Sequence, residues 1–414
     1  EMCIRDSVEV DRDHPLAGSL AELARHDVCV RIPLEGLQHD EVQTLVDRLT
    51  GFDPPEDFIA EVLEKTDGNP FFIRELMSLL AERHAEGQPA DLASRLLGVP
   101  AGVREVIRGR LRRLSPVCTQ ALETASVVGR EFAVEILESA SKIGREPLAE
   151  ALDEAHRAGL VGESPRGVYG FTHALTQEAV YVEQSPPRRA QLHGRVAEAL
   201  ERLHAADPDP HLADLAHHFS SAGNVEKAVG YATRAGHRAM DELAWEEAAR
   251  HFEEALRALE RSGAANPIER CDLLLELGRA LYPAGNRDRY RQAFLEAGQL
   301  ARRCMDAERL AKAAIAFSGS QAAGFSDEQA THLLEEALQA LGPAETSRRA
   351  ELLAQLAFVL RSGTQIERAD ALLAEASELA QRLDDARVQA HVALVRGYLL
   401  LGRAHPREML EICD

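Results

Sequence analysis

Histidine, cysteine and an arginine-rich helix are the residues of this chain with the widest chemical range, and their spacing argues against most of the chemistry they could do. Among the sixteen histidines, His217 and His218 are adjacent and His211 lies one helical stretch away. Adjacent residues on a helix point in different directions. With no H-E-x-x-H and no cysteine at ligand spacing, helix-surface histidines are expected rather than a metal site. A phosphate-binding loop, G-x-x-x-x-G-K-[ST], needs a lysine to reach the phosphates and a hydroxyl for magnesium. The only lysines are Lys65, Lys142, Lys227 and Lys312, and none follows a glycine. No apolar run ends in paired acids, and no G-x-S-x-G is present for a hydrolase. Arg104, Arg108, Arg110, Arg112 and Arg113 form a basic helix that could face phosphate. Glu105 interrupts that run and no amide-rich recognition helix follows, so direct nucleic-acid contact is not expected. No catalytic residue is assigned.

One local stretch stands out instead. In "EKTDGNPFFIRELMSLL", Gly68, Asn69 and Pro70 sit between two helical patterns. Lys65 closes the first helix, Gly68 suits a left-handed cap, Asn69 can cap the next helix, and Pro70 fits its first turn. That is a tight helical elbow. Apolar residues then recur at Phe72, Leu76, Leu79 and Leu80, which places Phe72 in a core, with Phe71 as a second candidate.

The elements that must position this elbow follow from composition and pattern. The 414 residues are 45% apolar and only 5% aromatic, with alanine and leucine dominant, which favours helices packed on helices. Forty-seven basic against 68 acidic groups give a net charge of -21, opposing broad binding to DNA or to anionic membrane. Six scattered cysteines without a C-x-x-C fit reduced thiols, and no long apolar run or secretory signal is visible, so a soluble cytoplasmic protein is expected. "MCIRDS" at Met2–Ser7 reads as translated transposase-adapter sequence, so residues 1–7 are excluded from fold reasoning and both chain ends are expected to lie inside a longer gene.

Val28, Val30 and Ile32 alternate as one short strand ended by Pro33 and Gly36. Helices are expected at about 39–50, 55–65 and 70–84, before a polar break at "HAEGQPADLAS". A second unit, 99–190, begins with a helical face of Val103, Val106, Ile107, Leu111 and Leu114. Ser115 and Pro116 start the next helix, Gly129 ends it, and helices at about 132–141 and 146–158 follow. Ser164–Gly167 has type I turn preferences between two short runs that can pair as a hairpin. Three helices and a hairpin suggest a winged helix. From about 191 to 414 only helical hairpins appear; Ala248, Phe252, Ala255 and Leu256 share one face. Similar starts recur near Ile268, Ala307, Ser347 and Asp385, a period of roughly 39 residues that suits a helical solenoid.

In this order the segments resemble the signal-transduction ATPases with numerous domains, in particular bacterial ATPases that accompany LuxR-type regulators and adenylate cyclase or kinase modules. The matching text is "DRDHPLAGSLAELARHDVCVRIPLEGLQHDEVQTL", "TDGNPFFIREL", "REVIRGRLRRLSPVCTQALETASVVGREF", "FTHALTQEAVYVEQSPPRRAQLHGRVAEALE" and "LAHHFSSAGNVEKAVGYATRAG". The resemblance implies that residues 8–98 are the last strand and helical lid of an AAA-type α/β ATPase domain whose phosphate loop lay upstream. A winged helix (99–190) and a TPR-like α-solenoid (191–414) would follow, in a mainly α chain. It further implies ATP or ADP with magnesium in the full-length protein, Gly68 approaching the nucleotide, Pro70 touching adenine or ribose, and Asn69 capping. His173 in "FTHAL" would match a histidine that approaches the diphosphate, although the surrounding motif differs. Nucleotide state would control a switch, the repeats would bind a small-molecule inducer or a protein partner, and self-association would accompany activation. The fragment itself, without the phosphate loop, would not hydrolyse ATP. The rival reading is a TPR-like interaction scaffold that binds no nucleotide.

Overall fold

The computed structural model describes residues 36–50, 55–85, 101–163, 168–261, 263, 266–319, 328–361 and 365–401, and its secondary structure there is mostly helical. The expected strand at Val28–Ile32, residues 1–7 and the Ser164–Gly167 turn lie outside these residues. The chain divides into two compact units, Glu1–Pro208 and Asp209–Asp414.

In the first unit, α1 (His39–Thr50), α2 (Glu56–Thr66) and α3 (Pro70–Ala85) follow the expected boundaries within two residues. Apolar spacing explains their packing: Val42 and Val46 of α1, Ile59 and Val62 of α2, and Ile73 and Leu76 of α3 are fully buried. Phe72 is buried too, but Phe71 is 41% exposed, because one residue further round a helix is about 100° away from the buried stripe.

The chain continues through α4 (Ala101–Leu111), α5 (Pro116–Val128), β1 (Glu131–Phe132), α6 (Val134–Ser141), α7 (Arg145–Arg157), β2 (Val161–Glu163), β3 (Tyr169–Phe171), α8 (Ala174–Glu183) and α9 (Pro186–Leu203). Ser115 starts α5: its Oγ accepts from the Cys118 amide at 3.2 Å, Pro116 takes the first turn, and Gly129 ends the helix. The three strands form one antiparallel sheet in the order β1-β3-β2, with Glu131 opposite Gly170 and Val161 opposite Phe171. The hairpin pairs as expected. The third strand, β1, replaces the start of a helix expected at 132, since two residues give no alternation to read. Val103 and Ile107 of α4 are buried, whereas Val106 is 42% exposed and leaves the expected face. Ile107, Leu122, Leu137, Leu148, Leu160 and Leu175 join the α1–α3 core in one continuous cluster.

The expected boundary at 190 falls inside α9, which belongs with the first unit. Its Val196, Ala197 and Leu200 are buried, and Arg202 donates to Ser139 Oγ of α6 at 2.9 Å.

The second unit is a short 3-10 turn (Asp209–His211) followed by α10 (Leu212–Ser221), α11 (Val225–Asp241), α12 (Trp245–Arg261), α13 (Pro267–Leu281), α14 (Arg287–Arg303), α15 (Ala307–Ser318), α16 (Glu328–Leu341), α17 (Ser347–Leu360), α18 (Ile366–Leu383) and α19 (Ala386–Leu401). Each helix packs on its sequence neighbour, and α13, α15, α17 and α19 pack each on the next. The repeat starts read from the sequence coincide with α13, α15, α17 and α19. Each start carries a side-chain cap: Asn266 accepts from the Ile268 amide, Asp306 from Arg309, Thr346 from Arg349 and Asp385 from Arg387.

Helix pairs are locked by size matching. A Cβ added to Gly236 of α11 would lie 2.7 Å from the Phe252 ring of α12, and one on Gly278 of α13 would lie 2.3 Å from the Phe294 ring of α14. Both rings are buried, and the spacing within each pair is the same. The same spacing further on gives Ser318 with Leu334 and Ala357 with Leu373, all buried.

Candidate functional site: the elbow and the start of α8

The elbow is built as its residues dictate. Asp67 ends α2 in the left-handed region at φ 49°, its amide bonded to Leu63 O, and Gly68 follows at φ 70°. Asn69 Oδ1 accepts from the Phe71 amide at 3.0 Å, and the Asn69 carbonyl accepts from Ile73, so Asn69 caps α3. The glycine is required by a close approach. A Cβ on Gly68 would fall 2.2 Å from Leu37 O, and the Leu37 amide donates to Gly68 O at 2.8 Å. Gly36 meets Asp67 O in the same way. The approach that Gly68 permits is therefore made by residues 36 and 37, and Gly68 is buried, whereas Pro70 and Phe71 are exposed.

His173 lies 106 residues on, at the position that starts α8, in extended conformation and without capping that helix through its side chain. Its ring turns to the elbow instead: Nδ1 is 3.4 Å from Asp67 Oδ2, and the ring meets Phe72 edge to face at 5.1 Å. Arg130, between the end of α5 and β1, donates from one terminal nitrogen to both Asp67 oxygens at 2.9 Å. The structure thus joins the elbow and His173 through Asp67, and adds Arg130. All three charged or ionisable side chains are partly open to solvent, at 35% for Asp67, 42% for Arg130 and 31% for His173. The result is an exposed apolar face, Pro70 and Phe71, on the same elbow as a carboxylate that gathers a guanidinium and an imidazole.

Neighbouring contacts hold α8 in place. Gln177 donates to Ser126 O at 2.5 Å, and Arg108 of α4 makes a two-point ion pair with Glu183, which holds that carboxyl below its usual range. Arg108, one of the five arginines of the basic helix, is thus engaged within the fold. Burial pushes the Glu178 carboxyl above the usual range, opposed by Lys65 of α2.

A second candidate lies wholly in the helical array, where α11, α13, α15, α17 and α19, with Phe294 of α14, line a groove of about 960 Å³. Its floor is apolar, with Val229, Leu273 and Phe294 buried. Asp272 and Glu276 on its wall are paired, the first two-point with Arg309 and the second with Arg279. His217 and His218 are respectively exposed and buried on α10, their rings edge to face at 5.3 Å. The described cysteines, Cys118, Cys271 and Cys304, are free, and burial pushes the Cys118 thiol up to about 12.

No known family's sequence profile matches the chain, and no curated protein matches it. Among solved structures, that of a Signal Transduction ATPase with Numerous Domains (STAND) protein with a tetratricopeptide repeat sensor, from Pyrococcus horikoshii, is similar at a TM-score of 0.36 and 12% identity. The similarity covers 92% of this chain and 60% of that one, so this chain spans less than two thirds of its length. A likeness that distant decides neither fold nor function. Both rest here on the residues themselves.

Proposed function

We propose that this chain is part of an ATP-dependent signalling or transcription regulator, in which nucleotide state at the elbow and at α8 controls a switch and the helical array receives the input. The observation that carries this reading is the meeting of Asp67, Arg130 and His173 beside the exposed Pro70 and Phe71. An adenine ring suits the apolar face of Pro70 and Phe71. Phosphates suit the two cationic partners of Asp67, which releases them when a stronger anion arrives. No magnesium ligand is assigned in the elbow, and the ion belongs with residues outside this stretch. The order helix, strand, two helices and a hairpin from α5 to β3 supports reading a winged helix within 99–190, and the paired helices from α11 onward support a TPR-like array within 191–414.

In the switch, ADP favours a closed form in which elbow and winged helix are tied together. ATP and an inducer on the array favour an open form that self-associates in the cytoplasm. Each ligand acts only through its different affinity for the two forms. Among the described residues no helix is long and apolar enough to cross a membrane, so none anchors the switch there.

A second reading has one observation in its favour: the close approach at Gly68 is already filled by Leu37, so the elbow is complete without a ligand. That reading is an interaction scaffold without nucleotide. Photolabelling the product of the complete reading frame with 8-azido-ADP separates the two. The switch predicts label on the peptide containing Pro70 and Phe71, and a loss of ADP affinity of roughly tenfold, about 1.4 kcal/mol, in His173→Ala and in Pro70→Ala. Absence of label, or label indifferent to both substitutions, leaves the scaffold.

A further inference from the structure

The groove of the helical array is segregated by charge along its length. Its acidic residues, Glu226, Glu269, Asp272 and Glu276, all come from α11 and α13. Beyond Arg279 at the end of α13, its charged residues are Lys312, Arg348 and Arg387, one from each of α15, α17 and α19. In a chain of net charge -21, three cations in succession along one wall reverse the general bias. Among the described residues no salt bridge engages Glu226 of α11, Glu269 of α13, Lys312 of α15 or Arg387 of α19, although Arg387 acts on the nearby Asp385 carboxylate, while Arg348 pairs with Glu308 and Glu351. The apolar floor of Val229, Leu273 and Phe294 lies on the helices of the acidic side and on α14, and Ile315 and Ala316 of α15 continue the apolar lining toward the basic side.

We propose that this groove binds an extended peptide segment that is basic at one end, apolar in the middle and acidic at the other. This rests on the reading of the array as an input surface and not on nucleotide binding. Length decides against a small metabolite. Five helix axes spaced at about 8–10 Å place the outermost charges, Glu226 on α11 and Arg387 on α19, roughly 35 Å apart along the groove, the reach of about ten or eleven extended residues. Charge decides against nucleic acid, since the acidic half would repel the phosphates that the basic half attracts. A peptide with segregated charge satisfies both halves at once, and its backbone can lie over the floor while alternate side chains enter it.

Fluorescence anisotropy with a labelled peptide of about twelve residues tests this: lysines at one end, valine and leucine alternating with serine in the middle, glutamates at the other end. A scramble of the same composition with charges alternating is the control, and both chain directions are made. The segregated probe is expected to bind at least about tenfold tighter than the scramble at low salt, with the difference shrinking as salt rises. Lys312→Glu with Arg387→Glu should abolish that preference and raise affinity for an all-lysine probe. Both side chains are exposed, and the milder Lys312→Ala with Arg387→Ala, checked by its unchanged melting, should reduce binding by several-fold. Equal binding of segregated and scrambled probes, or binding indifferent to both pairs of substitutions, overturns the proposal. ADP labelling at Pro70 together with that failure would leave the switch standing and remove only the peptide. Preference for the segregated probe without ADP labelling would support the groove and remove the nucleotide.

Discussion

In the first unit polar pairs fasten elements that lie far apart in sequence around a shared apolar core: Asp67 with Arg130 and His173, Ser115 with Glu154, Gln184 with Glu123 and Ser126. In the second, small residues face large ones on the next helix, Gly236 beneath Phe252 and Gly278 beneath Phe294, and ion pairs such as Asp272 with Arg309 and Glu308 with Arg348 join one repeat to the next. The contrast follows from contact range. An array makes its contacts between neighbours, where apolar packing needs only matched volumes. Elements brought together from residues 67, 130 and 173 need directional groups to fix which faces meet, and such groups also leave a site where charge can be exchanged for a ligand's.

The sharpest test of this contrast substitutes glycines. Alanine at a helical glycine ordinarily stabilises by up to about 1 kcal/mol. At Gly278 the added methyl runs into the Phe294 ring, and overpacking outweighs that gain, so Gly278→Ala should destabilise the array by about 2 kcal/mol, with part recovered in Gly278→Ala/Phe294→Leu. Gly109 of α4, with no atom within 4 Å of an added Cβ, should show the opposite sign. Urea unfolding of the three variants reads this directly; if Gly278→Ala gains stability as Gly109→Ala does, size matching does not hold the pairs. Next in size is Ser115→Ala, which removes the cap of α5 and leaves Glu154, whose carboxylate accepts from both the Ser115 amide and its hydroxyl, with the amide alone. A loss of about 1–2 kcal/mol is expected in thermal melts; a change near zero would mean that polar anchoring in the first unit is dispensable. Smallest is Asp67→Asn. The ion pair is more than a third exposed, so its removal should cost less than about 1 kcal/mol. Amide exchange confined to the elbow and the start of α8 should nevertheless speed up, and high salt should erase the difference between variant and parent. Unchanged exchange there would show that Asp67 does not tie the two elements.

The helix boundaries were legible because capping chemistry is local. Ser115-Pro116, Asn69-Pro70 and the cap residues of the array each announce a start within a few residues, and the repeat starts near Ile268, Ala307, Ser347 and Asp385 coincide with observed helices. What lay outside that range was harder to read. Arg130 follows a helix end in "VGREF" without any pattern to mark its partner 63 residues away, and Asp67 reads simply as the residue before a glycine. Phe71 is a second core candidate in the sequence and Val106 shares a helical face with Val103 and Ile107 by spacing, yet both are exposed, since a single apolar neighbour beside a buried stripe carries no sign of which side it faces. β1 was invisible because its pairing with β3, not its own sequence, makes it a strand. Gly68 was matched to ligand approach through resemblance, while its contact with Leu37 depends on a chain segment 31 residues earlier.

The caps of the array carry one more consequence. Asn266, Asp306, Thr346 and Asp385 begin their helices at intervals of 40, 40 and 39 residues, so the array has a natural unit of excision. Cutting out residues 306–345 would deliver Thr346 to the place of Asp306 with its cap intact and shorten the groove by one helix spacing. Length of the recognised segment then becomes a heritable variable, changed by duplication or loss of one block without redesign of any interface.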